Sequence, residues 1–186
     1  MAYSRIASKQ DLKHFLEMDK RALGITRKRP RPFVDKVWKF QIVLRKHEYW
    51  TNCTNNKAMK LLYAFLHYNL GTKLGFSIPC NVFGAGLRIN HYGLIVVNPE
   101  AKIGQWCDIH QGVNIGVNLE EGSVPTLGDN VYIGPGAKIF GKVQIGDNVM
   151  IGANAVVTKS FAEGCCRIAG VPAKKFSDEG NFYCRV

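Results

Sequence analysis

The chain has 186 residues, 46% of them hydrophobic and 21% charged, and a net charge of +11. This composition excludes a disordered chain, and the length allows one core with at most a small appendage. No apolar run reaches the roughly 18–20 residues that cross a bilayer. The N-terminal MAYSRIASKQDLKHF lacks the apolar centre of a secretory signal, so the sequence reading places the chain in the cytoplasm.

The charge is uneven. Residues 1–60 carry 15 Lys or Arg against 5 Asp or Glu, and residues 61–186 carry 10 against 9. The centre of the excess is TRKRPRP, with Arg27, Lys28, Arg29 and Arg31 interrupted by prolines. Such a run reads as a solvated connector or, alternatively, as a patch (residues 26–32) that meets an anionic membrane face. No groove-reading helix or aromatic RNA motif accompanies it, so nucleic acid is not an expected partner.

In chain order, residues 1–74 read as helical. SKQDLKHFLEMDKRALG offers Ser8 as N-cap, apolar residues at Leu12, Phe15, Leu16 and Leu23, and Gly24 as a stop. Pro30 and Pro32 break the pattern before FVDKVWKFQIVLRKHEYW. NKAMKLLYAFLHYNLG is expected to end at Gly71, with His67 a packed or capping histidine. The cysteines Cys53, Cys80, Cys107, Cys165, Cys166 and Cys184 form no CxxC pair and no zinc-like spacing with histidine, so they read as small apolar fillers and no metal is expected.

After Gly71 the period changes. Aliphatic residues recur every six positions at Val97, Ile103, Ile109 and Ile115, and again at Leu127, Ile133, Ile139, Ile145, Ile151 and Val157. Neither a helix nor an alternating strand has that period; a parallel β-helix of hexapeptides does. The glycine and Asn/Asp residues that follow would turn the corners, where φ > 0 is needed. With three faces per coil, Ile115, Ile133 and Ile151 would stack in one column. Glu121 falls on an aliphatic slot, so residues 117–126 are expected to leave the coil as a loop. The expected organisation is a helical region over 1–74, a coil domain over 75–173 and a tail over 174–186.

INHYGLIVVNPEAKIG, DIHQGVNIG, PTLGDNVYIGPGAKIFGKVQIGDNVMIGANAVVTK and AGVPAKK resemble the hexapeptide-repeat acyltransferases, in the branch with serine acetyltransferases and capsule or exopolysaccharide O-acetyltransferases. The resemblance implies a mainly β fold, a left-handed parallel β-helix with an N-terminal α-helical region, closed as a homotrimer with acetyl-CoA between subunits. The handedness rests on the resemblance alone, since parallel connections are right-handed by default.

The resemblance implies that His91 is the general base, taking the proton of an acceptor hydroxyl as it attacks the thioester. An imidazole suits the task because histidine ordinarily titrates near neutral pH. Asn90, Tyr92, His110 and Asn114 are candidates for the acceptor site. His110 lies nineteen positions beyond His91 and is expected beside Tyr92. The resemblance further implies that small residues hold the pantetheine arm by their backbones, which Ala137, Ala153 and Ala155 fit. Thr158, Lys159, Lys174 and Lys175 then fall where relatives meet the nucleotide end.

Departures from the serine enzymes are specific. They carry an aspartate before the histidine, where this chain has Asn90; a second aspartate upstream, where it has Phe76; and a loop histidine, where it has Val124. On those grounds the sequence reading prefers a sugar hydroxyl of a bacterial surface polysaccharide as acceptor. Serine O-acetylation of cysteine biosynthesis is the alternative, and a non-catalytic trimeric scaffold comes third.

Overall fold

The computed structural model describes residues 5–118 and 122–181. Three helices come first: α1 (Lys9–Ala22), α2 (Lys36–Asn52) and α3 (Lys57–Leu74). The Ser8 hydroxyl accepts from the Asp11 N–H at 3.0 Å, capping α1 as its sequence implies. Asn56 does the same for α3, accepting from the Met59 N–H at 3.0 Å. The third helix does not stop at Gly71. It continues to Leu74 and ends at Gly75, in the left-handed region at φ 77°. Gly71 is instead a close-packing residue: a Cβ there would lie 2.8 Å from the Phe76 carbonyl oxygen.

Arg45 joins these helices to the rest of the molecule. Fully buried, it bonds Asp19 of α1 from Nε at 2.8 Å and Nη2 at 3.2 Å, and Glu48 from Nη1 at 3.1 Å. Its remaining donors reach the carbonyls of Phe83 at 2.9 Å and Gly84 at 2.7 Å. All five guanidinium N–H groups are therefore used. Asp19 also accepts from the Gly86 and Leu87 N–H groups, both at 2.9 Å.

The strands follow as β1 (Phe76–Ser77), β2 (Arg88–Ile89), β3 (Ile95–Val97), β4 (Lys102–Ile103), β5 (Asp108–Ile109), β6 (Asn114–Gly116), β7 (Thr126–Leu127), β8 (Tyr132–Ile133), β9 (Lys138–Phe140), β10 (Gln144–Ile145), β11 (Met150–Ile151), β12 (Val156–Val157), β13 (Arg167–Ala169) and β14 (Lys174–Ser177). They stack into three sheets, ordered β1-β3-β6-β9-β12, β10-β7-β4 and β14-β13-β11-β8-β5-β2. Among the described residues every strand pairing is parallel except β13 with β14. The fold is a left-handed parallel β-helix with an N-terminal helical region.

Each sheet contributes one aliphatic column to the core. Ile89, Ile109, Ile133, Ile151 and Ile168 stack in register on the first. Val97, Ile115, Ile139 and Val157 stack on the second, and Ile103, Leu127 and Ile145 on the third. Ile115 thus pairs with Ile139, not with Ile133. The reason is coil length. Ile109 stacks on Ile133, twenty-four positions on, whereas Ile133 and Ile151 are eighteen apart. The six additional positions fall around the expected loop, whose residues 119–121, Glu121 included, lie outside the described residues.

Corners are turned by Asn130, Asn148 and Asn154, all with φ near 55°. Asn130 donates to the side chain of Asn148 one coil away at 2.7 Å, so corner residues also stack. Residues 174–177, expected as tail, form β14 and close the edge of the last coil. Capping an edge in this way protects unpaired ladder groups. Among the described residues no helix is long and apolar enough to cross a membrane.

Candidate active site

His91 leaves the end of β2 at the corner between two faces of the coil and is exposed. Together with Ile89, Asn90 and Tyr92 it walls a cavity of about 260 Å³, whose opposite side is the α1–α2 connector and the start of α2. The connector is ordered there by Asp35. Its carboxylate accepts from the Arg31 backbone at 2.7 Å and from Arg27 Nε at 3.1 Å, and it pairs with the Arg31 guanidinium at 3.2 Å. These bonds, that from the Arg31 backbone foremost, hold Asp35 well below the usual carboxylate range against the opposing effect of burial. Arg27 also lies over the Trp38 ring at 5.5 Å. Two of the four cations of TRKRPRP are therefore spent on folding the connector beside His91.

Beneath His91 lies a half-buried polar network around the buried Asp108. The Asn90 amide nitrogen bonds Asp108 Oδ1 and lies 3.1 Å from His110 Nε2. Arg88 Nη1 donates to Asp108 Oδ2 at 3.2 Å, and His110 Nε2 lies 3.7 Å from Asp108 Oδ1. Tyr132, on the next coil, packs its ring 5.1 Å from that of His110. Burial lowers the pKa of His110, and the charges of His91 and Arg88 add to this, while Asp108 works in the opposite direction.

His110 therefore sits over Asn90 and not over Tyr92, because the first coil is longer than eighteen residues: Ile89 pairs with Ile109. The rings of His91 and His110 are 6.4 Å apart. Among the described residues the His91 ring has no hydrogen-bond partner. Only a twenty-residue coil brings His110 level with Asn90 and Asp108 level with Arg88, and the six-residue period conceals that. The neighbouring coil thus supplies a carboxylate, Asp108, to the residue that precedes His91.

The other candidates divide. Tyr92 is exposed beside His91. Asn114 is half-buried on β6, in register with Val96 and Lys138, on the adjacent face. Lys138 places its ammonium at the shared corner, donating to the carbonyls of Gly112 at 2.6 Å and Gly136 at 2.7 Å. The Gln111 amide oxygen is buried nearby without a partner among the described residues.

Two coenzyme candidates fail on burial. Ala137 and Ala155 are fully buried in the core, and their backbones are already committed. The Ala137 N–H donates to Gly134 and its carbonyl accepts from Asn114; the Ala155 N–H donates to Gly152 and its carbonyl accepts from Lys138. Neither exposes a group to a pantetheine arm. Ala153, Thr158, Lys159, Lys174 and Lys175 are exposed on the last coils. Lys175 is paired with Asp178.

Residues 125–159 match the family described as bacterial transferase hexapeptide (six repeats). A serine acetyltransferase of Synechococcus elongatus is 39% identical over 93 residues, which is 49% of this chain and 38% of that protein. The Mycobacterium tuberculosis serine acetyltransferase is 39% identical over 98 residues, 52% of this chain and 42% of that protein. This chain therefore spans less than half the length of those curated relatives.

Among solved structures, the Brucella abortus serine acetyltransferase superposes with a TM-score of 0.72 at 26% identity, covering 92% of this chain and 71% of that one. The soybean apoenzyme gives 0.72 at 25%, covering 90% and 70%. The same Brucella enzyme is also known in complex with coenzyme A. These relatives overturn the preference for a polysaccharide sugar as acceptor. That preference rested on Asn90, Phe76 and Val124 standing where the serine enzymes carry two aspartates and a histidine. By its repeat and its columns, the β-helical domain resembles the hexapeptide-repeat transferases, whose family it matches over residues 125–159.

Proposed function

We propose that the chain is an acetyl-CoA-dependent O-acetyltransferase acting on the side-chain hydroxyl of serine, with His91 as general base. One observation carries the reading: an exposed imidazole stands on the rim of a cavity, seated on the Asn90–Asp108–His110 network. The naming of its relatives as serine acetyltransferases supports the acceptor.

When bound, acetyl-CoA supplies the acetyl group as a reactive thioester. His91 accepts the proton of the hydroxyl as the oxygen attacks, which an alcohol at neutral pH requires. Asn90 holds the corner from which His91 projects, its amide committed to Asp108 and His110. The cavity wall carries both signs. Asp35, kept ionised by Arg27 and Arg31, suits an amino acid's ammonium, and Lys36 suits its carboxylate. For the coenzyme, the exposed Ala153, Thr158, Lys159 and Lys174 remain fitting after Ala137 and Ala155 are removed. Exposed Tyr92 and Leu94 flank His91 and would be covered by a neighbouring copy, which supports a closed homotrimer with the groove between subunits.

The test is thiol release from acetyl-CoA by the purified chain, with L-serine set beside a panel of other hydroxyl compounds. Turnover with serine is expected. His91→Ala should lower kcat by about a hundredfold or more and leave the serine KM nearly unchanged. Absence of serine turnover removes the acceptor assignment, and an unimpaired His91→Ala enzyme removes the base.

A further inference from the structure

Away from the acetyl-transfer site, three metal-ligating side chains from separate elements converge: His47 of α2, His67 of α3 and Cys80 in the turn after β1. The Nδ1 atoms of the two histidines are 3.0 Å apart. Cys80 Sγ lies 3.1 Å from His47 Nδ1 and 4.0 Å from His67 Nδ1. A tetrahedral zinc ion, with Zn–N about 2.0–2.1 Å and Zn–S about 2.3 Å, separates its ligand atoms by about 3.3 Å between nitrogens and about 3.6 Å between nitrogen and sulfur. The three atoms thus already stand close to one triangular face of such a site. Both histidines also line a cavity of about 350 Å³, separate from the one beside His91.

We propose that His47, His67 and Cys80 form a binding site for a divalent transition metal, zinc by the chemistry of its donors, with a fourth position open to that cavity. Two imidazoles and one thiolate are a borderline-soft set that suits zinc better than magnesium or calcium. The surroundings support ligation. The Ile78 carbonyl takes a hydrogen bond from the His67 ring, the kind of outer contact that orients a ligating imidazole. Burial above all, with the neighbouring His47, lowers the pKa of His67 to about 4, which keeps its ring neutral, the ligating form. Burial also pushes the Cys80 thiol up to about 12, so the metal binds by displacing its proton.

Bound there, the ion would staple α2 and α3 to the turn that leads into the first coil. This site is independent of the acetyl-transfer reading. The spacing of the three residues, 47, 67 and 80, hides it, because the helical hairpin and the turn bring them together.

The test uses the full chain, stripped by chelator and titrated with Co²⁺ as a spectroscopic probe. One Co²⁺ per chain is expected, with a thiolate-to-metal charge-transfer band and the intense d–d bands of tetrahedral cobalt, all removed by Zn²⁺. Zinc at a hundredfold excess over its Kd should raise Tm by about 5–10 °C. Cys80→Ser should lose the charge-transfer band and weaken zinc at least about tenfold, whereas Cys165→Ser, at an exposed thiol, should change neither. A wild-type protein showing no band and no Tm shift overturns the proposal without recourse to any variant. A charge-transfer band that persists in Cys80→Ser overturns it equally.

Discussion

Arg45→Met tests what attaches the helical region to the coil. The substitution keeps most of the side-chain volume but deletes five hydrogen bonds, two to Asp19, one to Glu48 and one each to the Phe83 and Gly84 carbonyls. Both carboxylates are 2% exposed, so their charges would be left with only backbone donors in a dry interior. Breaking one side of a buried pair costs about 3–5 kcal/mol. The two orphaned carbonyls push the expected loss to the upper end, about 5 kcal/mol. For a chain of this size that lowers Tm by about 10–20 °C, measured by thermal or urea unfolding.

The loss has a pH signature. In the native protein, burial raises the pKa of Asp19 and of Glu48, and Arg45 pulls both back down. Burial also works against the charge of Arg45, but Asp19 and Glu48 outweigh it and raise its pKa. Removing the guanidinium lets both carboxyls rise further. A group whose folded pKa lies above its unfolded value makes the folded state bind more protons, so stability grows as pH falls. The deficit of Arg45→Met should therefore shrink between pH 8 and pH 5. Arg45→Lys, with three donors for five partners, should fall between the two. A Tm change under about 2 °C, or a deficit that ignores pH, would refute the reasoning.

Two further outcomes follow from the site and its assembly. Asp108→Asn removes the one charge that raises the pKa of His110, so His110 should titrate still lower; NMR titration of its ring protons checks the sign, and an upward shift would contradict the network. The same variant should lower kcat for acetyl transfer about tenfold or more through the misplaced Asn90 corner, on the same scale as losing an outer contact of a catalytic ligand. If copies close around a threefold axis beside Tyr92 and Leu94, sedimentation equilibrium should return three chain masses, and Leu94→Glu should shift the equilibrium to monomer.

How much of this was legible depended on whether a feature is periodic. The six-residue repeat announces the columns, because each isoleucine or valine faces the core whatever its neighbours do. The caps at Ser8 and Asn56 are equally local, needing only a side-chain oxygen three residues before a free N–H. Gly71 misled because a glycine at a helix end and a glycine under a crossing backbone look alike in one dimension. Ala137 and Ala155 misled because a small residue on a coil can face in or out, and both face in.

The amino-acid sequence by itself determined the coil, its core residues and the Ser8 cap, since all of these follow from short-range patterns and side-chain chemistry. Only the tertiary structure decided which coils stand above one another. A first coil of twenty residues and a later one of twenty-four shift the stacking, placing Asp108 over Arg88, His110 over Asn90 and Ile139 over Ile115. Contacts such as Arg45 with Asp19, or His47 with His67 and Cys80, join groups far apart in the chain. No local pattern encodes them; they exist because burying the helical region against the coil brings the partners within reach.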